Sequence, residues 1–328
     1  MTSTSPLRYP GGKARFTNFI WSAIQALEEP TEIFVEPFCG GAGVSIALLE
    51  SEHVQRIAIN DIDPLVSSFW QIVFGRGRKS RGNLEWLIHR VESSEISLEE
   101  WRYQKNLTPT NLREAAWKCL FLNRTSFNGI IHKSGPIGGW GQLKRTLDVR
   151  FNREKLVDRI LELNDLRFRV DRTDCVNWKR FCNRYAGVDN CYLYLDPPYY
   201  HRAEQLYGHL FNNKLHKRMR DYLAQLQTPW LLSYDDAPEV RALYENVAGI
   251  DSRIVDQTYS THPMGGASFV GRKLVFSNQD LPIQERNQVN RPHIGITIGD
   301  AIERNAPHNN GPVRTPIATR LLAVDVVR

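Results

Sequence analysis

The stretch TEIFVEPFCGGAGVSIALLE (residues 31–50) passes from a short apolar run into a carboxylate, a proline and three closely spaced glycines, and then into a helical apolar pattern. A buried strand, a tight loop and a helix follow from that order. Gly40, Gly41 and Gly43 let the loop backbone approach a ligand closely, and the first turn of the following helix presents amide donors. Glu36 stands at the strand end, beside that loop.

The alternation continues outward from this unit. Strand-like runs occupy 56–63 (RIAINDID), 167–172 (RFRVDR), 191–196 (CYLYLD), 229–236 (PWLLSYDD), 252–259 (SRIVDQTY) and 271–278 (GRKLVFSN), with helical patterns at 14–28, 44–52, 65–73, 214–226 and 238–246. This predicts an α/β fold on a seven-stranded, mostly parallel, Rossmann-like sheet. Between the second and third strands lie about a hundred residues, far more than one crossover needs. They are rich in Arg, Lys, Asn, Trp and helical signals, and read as an inserted, mostly helical subdomain. The expected division is 1–75 and 166–280 for the two parts of the sheet domain and 76–165 for the insert; 281–328, rich in Pro, Asn and Gly, reads as a loosely ordered tail.

With 328 residues, 41% of them hydrophobic, the chain can build a sizeable core. Lys and Arg number 42 against 36 Asp and Glu, a net charge of +6, and with a pI near 9.1 this favours an anionic partner, nucleic acid first. Five cysteines without a C-x-x-C pair suggest neither a disulfide framework nor a zinc ribbon, and nine histidines show no ligand spacing, so no metal is expected. The opening MTSTSPLRYPGGKARF lacks an apolar leader core and no run is long enough to span a bilayer, so a cytoplasmic location is expected.

In an open parallel sheet, ligands collect beyond the carboxyl ends of the strands. Glu36 ends the first strand, Asn60 and Asp61 the second, Asp174 follows the third, and Asp196 ends the fourth. GGAGVS lacks the third glycine of the dinucleotide fingerprint, and GGKA around Lys13 lacks the spacing of a phosphate loop. A carboxylate such as Glu36 repels phosphate and attracts an ammonium or sulfonium, while an acid after the second strand suits two ribose hydroxyls. Together these point to a cationic amino-acid cofactor with a ribose, S-adenosyl-L-methionine.

RYPGGK (8–13), FVEPFCGGAG (34–43), NDID (60–63), FLNRTSFNG (121–129), YLDPPYY (194–200), LLSYDD (231–236) and LVFSNQD (274–280) resemble, in that order, the Dam-like family of DNA adenine-N6 methyltransferases. The resemblance covers about residues 5–280. It implies that Tyr9, Gly11, Gly12 and Lys13, with Glu36, Phe38, Gly40, Gly41 and Gly43, surround the methionine moiety. It further implies that Asp61 takes the ribose, that Asp174 approaches the cofactor adenine, that Asp196 borders the cofactor, and that the insert recognises the DNA target, with a β-hairpin entering the duplex. Ala42 and Cys175 depart from the family pattern, at a position often held by glycine and one commonly aromatic.

On that reading Asp196-Pro197-Pro198-Tyr199 is the catalytic segment. The lone pair of an exocyclic amine is delocalised into the ring, so acceptors must draw the nitrogen toward sp³ while it is held in line with the methyl group. The Asp196 carboxylate and Pro197 carbonyl are the acceptors, the two prolines stiffen the backbone, and Tyr199 stacks on a base flipped out of double-stranded DNA. In the insert, Arg76, Arg78, Lys79 and Arg81 form a glycine-spaced basic loop suited to phosphates, and Arg124, Phe127, Asn128, Ile130, His132 and Lys133 are the expected DNA contacts. His132 stands where relatives that modify GATC have an arginine, so a motif other than strict GATC is expected. A cognate restriction endonuclease is a candidate partner, and an orphan enzyme fits the same sequence. Cytosine-N4 methylation, a catalytically silent DNA-binding module and an RNA-modifying enzyme are the alternatives.

Overall fold

The computed structural model describes residues 5–8, 14–143, 145–198, 200, 211–259 and 269–282. Tyr9, Gly11, Gly12, Lys13, Tyr199 and the tail beyond Pro282 lie outside the described residues. Strands β1 (Ile33–Glu36), β2 (Arg56–Asn60), β3 (Val170–Asp174), β4 (Cys191–Leu195) and β5 (Trp230–Asp235) run parallel in the order β3-β2-β1-β4-β5. β7 (Phe269–Ser277) joins β5 antiparallel and carries β6 (Asp251–Tyr259) at the edge. The seven expected strands are the seven observed. β1 and β4 are buried along their whole length, which is why they read as continuous apolar runs and not as alternation.

Helices cover both faces: α1 (Ala14–Gln25), α2 (Gly43–Glu50), α3 (Pro64–Val73), α8 (Trp178–Cys182), α9 (Asn213–Leu223) and α10 (Pro238–Tyr244). On one face Phe34 stacks between Tyr192 and Tyr194, and Phe16 of α1 meets Tyr194. On the other, Val35, Leu193 and Leu195 pack with Trp178, Phe181, Met219 and Leu223. Asp63 caps α3 by accepting from Leu65 N at 2.9 Å, with Pro64 in the first turn. Strand order turns back between β1 and β4, so a crevice opens beyond Glu36 and Asp196. No described helix is long and apolar enough to cross a membrane.

The insert supplies α4 (Arg78–Ser93), α5 (Leu98–Asn106), α6 (Leu112–Thr125) and α7 (Arg153–Asp165). Ser97, Asn111 and Asn152 cap α5, α6 and α7 through Glu100 N, Glu114 N and Lys155 N. α6 lies against α3 and buries Ala116, Cys119, Leu120, Phe121 and Leu122, so the insert is built directly onto a sheet-covering helix. Two local expectations are corrected. The basic stretch 75–83 is not a loop throughout, because α4 begins at Arg78 and its apolar face starts only at Leu84. The expected hairpin is a loop closed by one antiparallel bridge, Ser126 with Pro136, flanked by Phe127 N to Gly135 O (2.9 Å) and Ile137 N to Thr125 O (2.8 Å). Asn128 (φ 55°) and Gly129 (φ 75°) are left-handed at the tip, and Phe127–Gly129 form a short 3-10 turn in place of a strand end. Past β7, Leu281 is buried and its amide donates to Asp251 Oδ2 at 2.9 Å, so the ordered fold includes the first residue assigned to the tail.

Candidate active site

Glu36 is fully buried, and Ser45 Oγ, one turn into α2, donates to its Oε2 at 2.5 Å. The loop after it turns through left-handed backbone at Gly40 (φ 46°) and Ala42 (φ 49°). Ala42 therefore adopts, at some strain, a conformation for which glycine is better suited, at the position where the sequence departs from the family pattern. Trp70 Nε1 of α3 donates to Gly40 O at 2.8 Å and Cys39 N to Asn60 O at 2.9 Å, holding the loop across the ends of β1 and β2. A Cβ built on Gly43 would meet nothing within 4 Å among the described residues.

The second strand end is tied into the same loop. Asp61 Oδ2 accepts from Gly40 N and Oδ1 from Asp63 N, both at 2.9 Å. Burial first, and then the neighbouring Asp63 carboxylate, push the Asp61 carboxyl up to about 7, against the pull of those two amides. Asn60 is buried and clamps the start of the segment after β3: its Nδ2 donates to Pro37 O (2.9 Å) and Val176 O (3.0 Å), and Val176 N donates to its Oδ1 (2.9 Å). Asp61 N reaches Asp174 O at 3.3 Å, so the ends of β1, β2 and β3 form one connected rim. Asp174 is itself ion-paired with Arg184 and faces Arg172 at 3.7 Å, partners that sequence reasoning missed. Ile62 is exposed beside Cys175, whose Sγ contacts Ile62 O at 3.6 Å.

Asp196 stands at the end of β4, with Pro197 buried behind it. Its Oδ1 accepts from Ser233 Oγ of β5 at 2.6 Å and from Lys273 Nζ of β7 at 2.9 Å. Neither donor was expected. Beyond the prolines Tyr200 N donates to Asp235 Oδ1 at 3.2 Å, and the ring of Tyr200 lies 4.7 Å from that of His216. Phe38, after the first strand, meets Phe211 edge-on at 5.8 Å, and Phe211 in turn meets His216 at 4.6 Å. An aromatic wall therefore joins the glycine loop to the DPPY segment. His216 Nδ1 is 2.6 Å from Tyr234 Oη, and burial lowers the imidazole to about 4, which keeps it neutral.

The expected DNA contacts divide. Phe127 is 61% exposed, and Asn128, Lys133, Arg78 and Lys79 are also exposed, whereas Ile130 and Arg81 are half-buried. Arg76 is engaged by the carbonyls of Arg167, Phe168 and Val170. Arg124 donates to Arg150 O (2.7 Å) and Pro6 O (3.3 Å). His132 Nε2 meets Asp63 Oδ2 at 2.5 Å. The NR of the FLNRTSFNG motif holds the chain that leads into Tyr9–Lys13. Asn123, fully buried, exchanges bonds with Arg8 N (2.6 Å) and O (2.8 Å) and also donates to Gly129 O (2.9 Å). Gly129 is required there, since a Cβ would stand 2.4 Å from Arg8 O.

Residues 9–260 match the family of D12 class N6 adenine-specific DNA methyltransferases. The Type II methyltransferase M.MjaIII of Methanocaldococcus jannaschii is 23% identical over 217 residues, 59% of this chain and 68% of that protein. Among solved structures, the rRNA methyltransferase aviRa from Streptomyces viridochromogenes aligns with a TM-score of 0.36 and 12% identity, over 82% of this chain and 85% of that one.

Proposed function

Since the chain belongs to the D12 class N6 adenine-specific DNA methyltransferase family, which methylates adenine N6 in DNA from a methyl donor, we propose that the donor is S-adenosyl-L-methionine and that it lies along the rim formed by Glu36 to Gly43, Asp61 and Asp174. One observation carries this reading. The Gly40 amide bonded to Asp61 Oδ2 joins the glycine loop to the acidic end of β2, so both ends of an amino-acid nucleoside can be addressed by one rigid unit. The chemistry of the rim fits the group: a buried carboxylate favours a cation over a phosphate, Gly43 leaves open space, and exposed Ile62 offers an apolar surface to an adenine ring. When bound, the cofactor supplies an electrophilic methyl group on sulfur. Asp61 then orients the ribose, and Asp174, between its arginines, borders the base.

The target adenine leaves the duplex and enters beside the DPPY segment. There the Asp196 carboxylate and Pro197 carbonyl accept the two amino hydrogens, Pro198 fixes the turn, and Tyr199 stacks on the ring, a contact worth about 1–3 kcal/mol. N6 gains a methyl group and loses a proton, which the Asp196 carboxylate takes up transiently and passes to solvent. The insert, 76–165, serves as the target-recognition subdomain, with Phe127, Asn128 and Lys133 toward the duplex and Arg78 and Lys79 toward phosphates. Arg76 and Arg124 support it by bonding backbone carbonyls. A cognate restriction endonuclease is the partner this reading allows. Calorimetric titration of S-adenosylmethionine tests the rim: Asp61→Ala should weaken binding by tenfold or more, about the 1.4 kcal/mol of one good hydrogen bond. Equal affinity in the two proteins would remove the ribose role.

A further inference from the structure

Lys273 occupies a position in β7 opposite Asp235 of β5 and Val255 of β6, where a lysine is out of place: its side chain is only 4% exposed, and that of Asp196 16%. An ammonium held away from water needs a partner of opposite charge and further polar contacts. It has them. Nζ donates to Asp196 Oδ1 at 2.9 Å, Ser233 Oγ donates to the same oxygen at 2.6 Å, and Tyr194 Oη is 3.0 Å from that hydroxyl. The ammonium also stands 6.0 Å from the centroid of the Phe16 ring. β5 and β7 thus bring donors to the carboxylate that ends β4, and α1 borders the ammonium.

Resting on the reading of Asp196 as the acceptor for the target amine, we propose that Lys273 is a positioning residue for methyl transfer, an ammonium that keeps the Asp196 carboxylate ionised and fixes its plane toward the substrate. A protonated carboxyl would present a donor to an amine that needs acceptors. Partial burial and the neighbouring acids favour that unproductive form, because Glu36 ends the adjacent β1 and Asp235 ends β5. Tyr194 lies on the face of Ser233, whereas Tyr234 points to the opposite face, toward His216 and Met219. Burial raises the Tyr234 hydroxyl well above its ordinary value, so it brings no charge. Arg272, the cation next along β7, is exposed. Among the described residues, the buried charge bonded to Asp196 is that of Lys273.

The test is a pH profile of methyl transfer with radiolabelled S-adenosylmethionine for the wild type, Lys273→Met, Lys273→Gln and Lys273→Arg, with thermal melts and cofactor titration on each. Neutralising the ammonium should move the acid limb of kcat up by about one pH unit or more. It should also lower kcat about tenfold at pH below the wild-type limb, with recovery toward neutral and alkaline pH and little change in cofactor affinity. Lys273→Arg should restore the limb. An unmoved acid limb in whichever neutral variant melts cooperatively, or an equal fall at every pH together with lost cofactor binding, would overturn the proposal. Asp196→Ala, assayed alongside, separates the premises. If it still methylates DNA, the acceptor role of Asp196 fails. If it is inactive while the neutral variants behave as wild type, only the role of Lys273 fails.

Discussion

At the carboxyl edge of the sheet the charged groups are acids, each held by donors from a neighbouring element: Glu36 by Ser45, Asp61 by Gly40 and Asp63, Asp196 by Ser233 and Lys273. In the insert several cations are held by backbone carbonyls. Lys105 Nζ reaches Ile131 O (2.9 Å), His132 O (2.7 Å) and Ser134 O (3.2 Å), and Lys118 Nζ reaches Lys105 O (3.2 Å) and Leu107 O (2.5 Å). Arg76 and Arg124 do the same elsewhere. The sheet edge uses its framework to hold acids in place, whereas the insert uses cations to shape loops. A net charge of +6 is therefore not a count of phosphate contacts.

The largest expected effect lies at the sheet edge. Asp196→Ala should lower single-turnover methyl transfer by about 10²–10³-fold, the range for losing one preorganised polar contact to a reacting group, while calorimetry finds the cofactor still bound. Retained turnover would put the chemistry elsewhere. Next, Lys105→Met removes a charged donor from three carbonyls of the loop 131–134 and should cost about 2–3 kcal/mol of stability, read in denaturant melts. A neutral outcome would mean the insert does not depend on its internal cations. Smaller again is a contrast in DNA binding. Exposed Lys133→Ala should reduce the slope of log affinity against log salt by about 1, whereas Arg124→Ala should leave the slope unchanged while lowering the melting temperature. The reverse pattern would turn the assignment of the two cations around.

The smallest effect is a pH dependence. Asp61 holds a proton in the native state up to about 7, above its unfolded value near 3.8. Between those limits the native state binds more protons than the unfolded chain, so this group's contribution to stability is full below the lower limit and declines as pH rises through the window. Asp61→Asn should flatten that decline in melts recorded from mildly acid to neutral pH. An identical slope in both proteins would remove Asp61 as its source.

The sheet was legible because its strands are short apolar runs bounded by turn formers, and the acids at their ends fall where the topology collects ligands. Lys273 was not, since a lysine in GRKLVFSN reads as solvated until β7 is known to pair with β5, which carries Ser233 beside the DPPY strand. Its spacing two residues from buried Val275 was the available signal. Arg184 was missed for a similar reason, as only the fold brings it to Asp174. In the insert, residue type suggested outward-facing contacts for Arg76, Arg124 and His132. A guanidinium or imidazole satisfies an inward carbonyl or carboxylate as well as a phosphate, and composition does not distinguish the two.

The central claim is that the edge built around Glu36, Asp61 and Asp196 methylates adenine N6 while the insert chooses the site. Expressing the chain in a host that lacks DNA methylation and sequencing modified bases in its genome tests this directly. The account predicts N6-methyladenine confined to a fixed motif, absent when Asp196→Ala is expressed. N4-methylcytosine in its place, or unmodified DNA in the presence of folded wild-type protein, would contradict it.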